Sequence, residues 1–168
     1  MQFELRKVQP SEVSILYPVT LDAFGEEEGS QINGLIGDLV HHPAGAAGAL
    51  IAAEADGQIV GYVMLSEGIL DTPASLLKIG VLGPLAVLKS HQRQGVGRAL
   101  VGRLLSEAEA RKYPMVLLEG NPDYYPKLGF VLGGPLGLRK PSLRIPDAAF
   151  QCYLLSGYEE WMTGTEVY

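Results

Sequence analysis

Val87-Leu88-Lys89-Ser90-His91-Gln92-Arg93-Gln94-Gly95-Val96-Gly97-Arg98-Ala99-Leu100 passes from an apolar run, through a polar turn and a glycine pair, into a helix. Its upstream flank, Leu85-Ala86-Val87-Leu88, is short, apolar and preceded by Gly83-Pro84, which fits the end of a buried strand. Downstream, Val96, Leu100, Val101, Leu104 and Leu105 recur at helical spacing, with Arg98, Arg103, Glu107 and Glu109 mostly opposite. An amphipathic helix from Gly95 to about Lys112 follows. Gly95 and Gly97 leave no Cβ over its first turn, so a ligand can come close to the backbone. The first N–H groups of a helix lack intrahelical partners, and the dipole favours an anion there. The stretch predicts a strand, turn and helix that cradle a phosphate or pyrophosphate.

Two familiar glycine turns do not fit. A Walker A loop needs Lys-Ser/Thr after its second glycine, whereas Gly97 is followed by Arg98-Ala99. A Rossmann fingerprint needs a third glycine where Leu100 stands, and Gly102 comes too late. Gln92-x-x-Gly95-x-Gly97 instead resembles the Q/R-x-x-G-x-G/A motif of the GNAT superfamily of N-acetyltransferases, which holds the pyrophosphate of acetyl-CoA. Tyr125-Pro126-Lys127-Leu128-Gly129-Phe130 resembles that family's Y-x-K-L-G-F segment after the fifth strand. The resemblance covers the chain in element order and residues 83–130 in detail. Ile145 to Phe150 and Gly164 to Tyr168 resemble a small bacterial subgroup of uncharacterised acetyltransferases.

The 168 residues suit one domain, 1–168, with a sizeable core. A hydrophobic content of 47% and a charged content of 19% are globular, not disordered. A net charge of −6 gives no general pull toward nucleic acid or an anionic membrane, so neither is an expected partner. The single cysteine, Cys152, excludes an intramolecular disulfide and reads as a buried strand thiol in a reducing compartment. With no signal peptide or membrane-length apolar run, the cytoplasm is the expected location. His41 and His42 read as a solvated pair at a helix end. With only His91 besides, no metal is expected.

In order, the pattern predicts a strand over residues 3–8 and a helix from Pro10 to about Phe24, kinked or broken at Pro18. A polar loop over 25–30 and a helix ending near Val40 come next, then a loose stretch over 43–48. Asp56-Gly57 joins strands 49–55 and 58–65 as a hairpin. A turn at 71–75, a strand over 78–88, the helix from Gly95, a strand over 115–119, a short helix over 122–127 and strands at 130–132 and 150–155 complete the chain.

This order, with the resemblance, implies an α/β (α+β) GNAT acyl-CoA N-acyltransferase fold: a mixed central sheet of about seven strands flanked by helices. The implied reaction is transfer of the acetyl group of acetyl-CoA, the co-substrate, to an amine acceptor by direct attack. Homodimers are an assembly compatible with this reading. The resemblance implies pantetheine and thioester contacts from backbone around Ala86, Val87 and Leu88, where the fourth and fifth strands splay, with one N–H polarising the thioester carbonyl. Pro84 has no N–H to give a neighbour, so a break in pairing there is reasonable. Gln92, Arg93, Gln94, Gly95, Val96, Gly97 and Arg98 would surround the pyrophosphate. Tyr125 would be the general acid that protonates the leaving thiolate, since a phenol with a pKa of about 10 keeps its proton at neutral pH. Tyr124, its neighbour, reads as packing. Glu67, at the end of the third strand, and Glu119, at the end of the fifth, are the candidate bases. Glu26-Glu27-Glu28, in a loop beside the acceptor, would favour a cationic substrate. The alternative is a non-catalytic acyl-CoA-binding or sensing module on the same fold, which the presence of Tyr125 disfavours.

Overall fold

The structure, a computed structural model, describes residues 2–167. Met1 and Tyr168, the last residue of the C-terminal stretch noted above, lie outside the described residues. Strands β1 (Glu4–Lys7), β2 (Ala49–Ala55), β3 (Gln58–Asp71), β4 (Leu76–Val87), β5 (Met115–Glu119), β8 (Phe150–Leu154) and β6 (Val131–Leu132) hydrogen-bond in that order, with β9 (Gly164–Val167) pairing β3 and β7 (Leu138–Arg139). Contacts group the chain into two compact units, Met1–Ser66 with Gly83–Leu104, and Glu67–Leu82 with Leu105–Tyr168.

The first unit begins with β1 (Glu4–Lys7), antiparallel to β2 (Ala49–Ala55) from Glu4↔Glu54 to Lys7↔Ile51. β2 turns into β3 (Gln58–Asp71) at Asp56-Gly57, whose φ angles of 51° and 74° are the two positive values that a type I′ hairpin requires. Between β1 and β2, a 3-10 stretch (Pro10–Leu16) passes into α1 (Tyr17–Phe24). Pro18 lies in the first turn of α1, where its missing N–H costs nothing, and this places the expected break.

Gly25, at φ 86°, ends α1, and α2 (Glu26–Leu39) starts at once. The polar loop expected over 25–30 is therefore wrong. Glu26, Glu27 and Glu28 form the first turn of α2, where three carboxylates complement the helix dipole. The loose stretch over 43–48 also holds a short helix, α3 (Pro43–Ala46), capped by His42 Nδ1, which accepts from Ala44 N–H at 3.1 Å. Leu16, Val19, Ile36, Leu50, Tyr62 and Met64 are core residues of this unit. Inside that core Thr20 Oγ1 donates to the Leu16 carbonyl at 3.3 Å, so at 2.6 Å Tyr62 is the donor to Thr20. Burial pushes the Tyr62 phenol up to about 12. The end of β4 (Leu76–Val87) and the start of α4 (Val96–Ala110) complete the unit. α4 lies close on β3 at Gly61, where an added Cβ would meet Val96 Cγ1 at 3.1 Å and Leu100 Cδ1 at 3.2 Å.

In the second unit, β4 runs parallel to β5 (Met115–Glu119) with Gly80↔Val116 and Val81↔Leu117 in register, and this pairing stops short of Gly83-Pro84. β5 is antiparallel to β8 (Phe150–Leu154), from Met115↔Leu154 to Glu119↔Phe150. β8 also pairs β6 (Val131–Leu132). Two strands were not expected: β7 (Leu138–Arg139), and β9 (Gly164–Val167), which lies antiparallel to β3 with Leu70↔Glu166. The apolar face gathers Leu70, Ile79, Met115, Leu117, Phe150 and Cys152. Cys152 is fully buried, and burial pushes its thiol up to about 11.

Candidate active site

β4 ends where the Leu88 N–H donates to the Val60 carbonyl at 2.9 Å. A 3-10 turn (Lys89–His91) follows, with the Lys89 N–H donating to Asp22 Oδ2 of α1 at 2.7 Å. The side chains of Gln92 and Gln94 fold back, each Nε2 donating to a carbonyl behind it, Val87 at 3.1 Å and Ser90 at 3.2 Å. Arg93 (φ 62°) and Gly95 (φ 89°) are left-handed, and Gly95 is open, with nothing within 4 Å of where a Cβ would stand.

The first α-helical bond after the turn runs from Ala99 N–H to the Gly95 carbonyl at 3.0 Å. The N–H groups of Val96, Gly97 and Arg98 thus precede any intrahelical partner. An exposed turn of this shape makes a concavity of N–H groups, which fits a pyrophosphate. Val96 contributes backbone alone, because its side chain is buried. Ala86 is likewise buried, and the Val87 carbonyl and Leu88 N–H already hold partners within the unit.

Tyr125 opens a 3-10 turn (Tyr125–Leu128) in the second unit. Its N–H donates to the Asn121 carbonyl at 3.4 Å, and its carbonyl accepts from Phe130 N–H at 3.3 Å. Gly129, at φ 97°, closes the turn. Rings stack edge-on in series: Tyr124–Tyr125 at 5.0 Å, Tyr125–Phe130 at 5.6 Å, Phe130–Tyr153 at 5.4 Å. Two glycines make room for them. A Cβ on Gly120 would stand 2.5 Å from Tyr125 Cε2, and one on Gly129 would stand 2.8 Å from Tyr153 Cε2. Burial pushes the Tyr125 phenol up to about 12, so it keeps its proton at neutral pH. Tyr124 is 37% exposed and is not a core residue.

The carboxylates separate by face. β3 continues past Glu67 to Asp71, so Glu67 lies within the strand and not at its end. It points away from the face of Leu70. Its Oε2 accepts from the Tyr113 hydroxyl at 2.8 Å, and Lys78 Nζ stands 3.8 Å from Oε1. Burial, then the bond to Glu67, raises the Tyr113 phenol. Glu119 does end β5, is exposed, and by strand alternation shares the face of Met115 and Leu117. Glu166, opposite Leu70, is 9% exposed. Burial first, and the charge of Glu119 second, push its carboxyl up to about 7. Sequence reasoning missed Glu166 because four residues of β9 show too little alternation to mark a strand.

Residues 46–132, more than half of the chain and including both the turn and Tyr125, match the family model of the acetyltransferase (GNAT) domain. The chain belongs to the GNAT family. Among relatives of this GNAT chain, the uncharacterized N-acetyltransferase YhbS of Escherichia coli K12 is 33% identical over 109 residues, 64% of the chain. The match spans 62% of that relative's length. The uncharacterized N-acetyltransferase YjhQ of the same strain is 26% identical over 159 residues, covering 91% of the chain and 83% of the relative. The crystal structure of Escherichia coli YhbS in complex with CoA superposes on this GNAT chain with a TM-score of 0.86 at 26% identity, covering 100% of this chain and 90% of that one. A Brucella melitensis GNAT acetyltransferase, solved with acetyl-CoA, shares the fold at TM-score 0.76 and 22% identity, over 99% and 96% of the two chains.

Proposed function

We propose that this chain is an acetyl-CoA-dependent N-acetyltransferase, acting as one domain over residues 1–168, that acetylates a primary amine of a small molecule or protein by direct attack. The observation that carries this reading is the turn at 92–98, an exposed helix start with left-handed Arg93 and Gly95, in a member of the GNAT family. The complex of its relative YhbS with CoA supports the choice of co-substrate. Acetyl-CoA supplies the acetyl group as a thioester whose thiolate is the leaving group. Backbone N–H groups within Gln92 to Arg98, those of Val96, Gly97 and Arg98 among them, hold the pyrophosphate. Backbone at Ala86, Val87 and Leu88, other than the Leu88 N–H that Val60 holds, serves the pantetheine arm. Tyr125 gives its proton to the departing sulfur. Glu119 takes the amine proton in preference to Glu67, whose oxygens already meet Tyr113 and Lys78. A buried lone thiol suits the cytoplasm, where we place the protein.

Two measurements test this together. Acetyl-CoA or CoA at about 100 times its dissociation constant should stabilise the fold by about 2.7 kcal/mol, read as a thermal shift. Thiol release from acetyl-CoA should accelerate with at least one class among polyamines, amino acids, aminoglycosides, peptides and protein N-termini. A shift without release from any class points to the binding module, and no shift at millimolar cofactor overturns both readings.

A further inference from the structure

Gln151 is a glutamine in an apolar position. It lies on β8 between β5 and β6, with 1% of its surface exposed. Its Nε2 donates to the carbonyls of Gly120 at 3.2 Å and Asn121 at 3.4 Å. Two carbonyl acceptors decide which end of the amide is nitrogen, since the flipped amide would set oxygen against oxygen. Its Oε1 is buried without a hydrogen-bond partner among the described residues. An unpaired buried acceptor is unfavourable, and a methionine of the same length would avoid it. The side chain is therefore explained by its nitrogen.

That nitrogen holds the peptides on which Tyr125 rests. The Asn121 carbonyl also accepts from the Tyr124 N–H at 3.2 Å and the Tyr125 N–H at 3.4 Å, and Asn121 Oδ1 accepts from Asp123 N–H at 2.7 Å. The Tyr125 ring lies against Gly120 so closely that no Cβ fits there. Gly120 is tied to the sheet by its own N–H, which donates to the Ala149 carbonyl at 3.0 Å. One link runs from the sheet through the Gln151 amide and the Asn121 carbonyl to the backbone of Tyr125.

We propose that Gln151 is a positioning residue that holds the Gly120-Asn121 peptides so that the Tyr125 phenol stays aimed for proton donation. This rests on the reading of Tyr125 as the donor. The test follows thiol release from acetyl-CoA with water as the acceptor, in Gln151→Met, Tyr125→Phe and the double variant. Gln151→Met should lower the rate at saturating acetyl-CoA by about tenfold, with KM unchanged, as loss of an orienting partner does. In the Tyr125→Phe background it should cost nothing further, because both changes remove one interaction. Losses that multiply, or a full rate in Gln151→Met beside a reduced one in Tyr125→Phe, overturn the role of Gln151 and leave the donor standing. A full rate in Tyr125→Phe withdraws the donor and Gln151's role with it. If Gln151→Met does not fold, Gln151→Glu replaces it. Its rate relative to the parent should rise as pH falls, since only the protonated carboxyl can donate to a carbonyl. A flat ratio overturns the proposal.

Discussion

The carboxylate of Asp22 accepts the backbone N–H of Lys89 at 2.7 Å, joining residues 67 apart in sequence. It ties α1 to the first residue of the turn that leads to Gly95 and α4. Asp22→Ala should weaken CoA binding about fivefold, roughly the 1 kcal/mol of one hydrogen bond. Asp22→Asn, which keeps an acceptor oxygen, should fall between. Titration calorimetry with CoA reads this directly, and equal affinities in all three proteins would remove Asp22 from the account.

Tyr125→Phe should lower turnover at saturating acetyl-CoA while leaving cofactor affinity in place. General-acid contributions run to about 10²–10⁴-fold, and a thiolate leaves readily, so the lower end applies. Tyr124→Phe is the control, because its 37% exposed ring meets Tyr125 edge-on and has no assigned proton to give. Loss in Tyr124→Phe with full turnover in Tyr125→Phe would shift the assignment by one residue.

Glu166 makes stability depend on pH. Its folded carboxyl titrates near 7 against an ordinary 4.5, so between those values the folded chain holds a proton that the unfolded chain has lost. Its contribution to stability is full below about 4.5, declines as pH rises through the window, and is lowest above 7. The difference is about 2–3 kcal/mol after allowing for residual solvent contact. Glu166→Gln copies the protonated form. It should raise Tm by roughly 5 °C at pH 8 and change it little at pH 5. An unchanged Tm at pH 8 would contradict the placement.

Cys152 should resist iodoacetamide in the native protein at pH 8, since it is fully buried and its thiol titrates near 11. In guanidinium it should alkylate completely. Intact mass resolves the two states, and native alkylation on the timescale of an unfolded control would show the thiol to be accessible.

Local chemistry wrote the legible parts of the fold. The hairpin at Asp56-Gly57 needs two positive φ angles that this pair adopts cheaply, and the Gly95 turn announces itself in the same way. The turn that carries Tyr125 is marked by the glycine and phenylalanine that follow it. Features fixed by distant partners were not legible. Leu138–Arg139 is too short to show any period, and β9 is a strand because of Ile69, Leu70 and Asp71 far upstream. Glu67 reads as a strand end, whereas β3 runs on to Asp71 beside β4 and β9. Glu26 to Glu28 read as loop between two glycines, although acidic residues in series are also how a helix begins. Gln151 looks like any polar residue alternating along a strand until its amide is seen against Gly120 and Asn121.

The pairing of β9 with β3 has a consequence for synthesis. Residues 69–71 leave the ribosome long before residues 165–167, which complete their hydrogen bonding. Until then β3 presents an unpaired edge in the second unit, and the Leu70 face lacks the strand that carries Glu166. The nascent chain therefore carries an open template for stray strand addition from the time residues 69–71 emerge until residues 165–167 do.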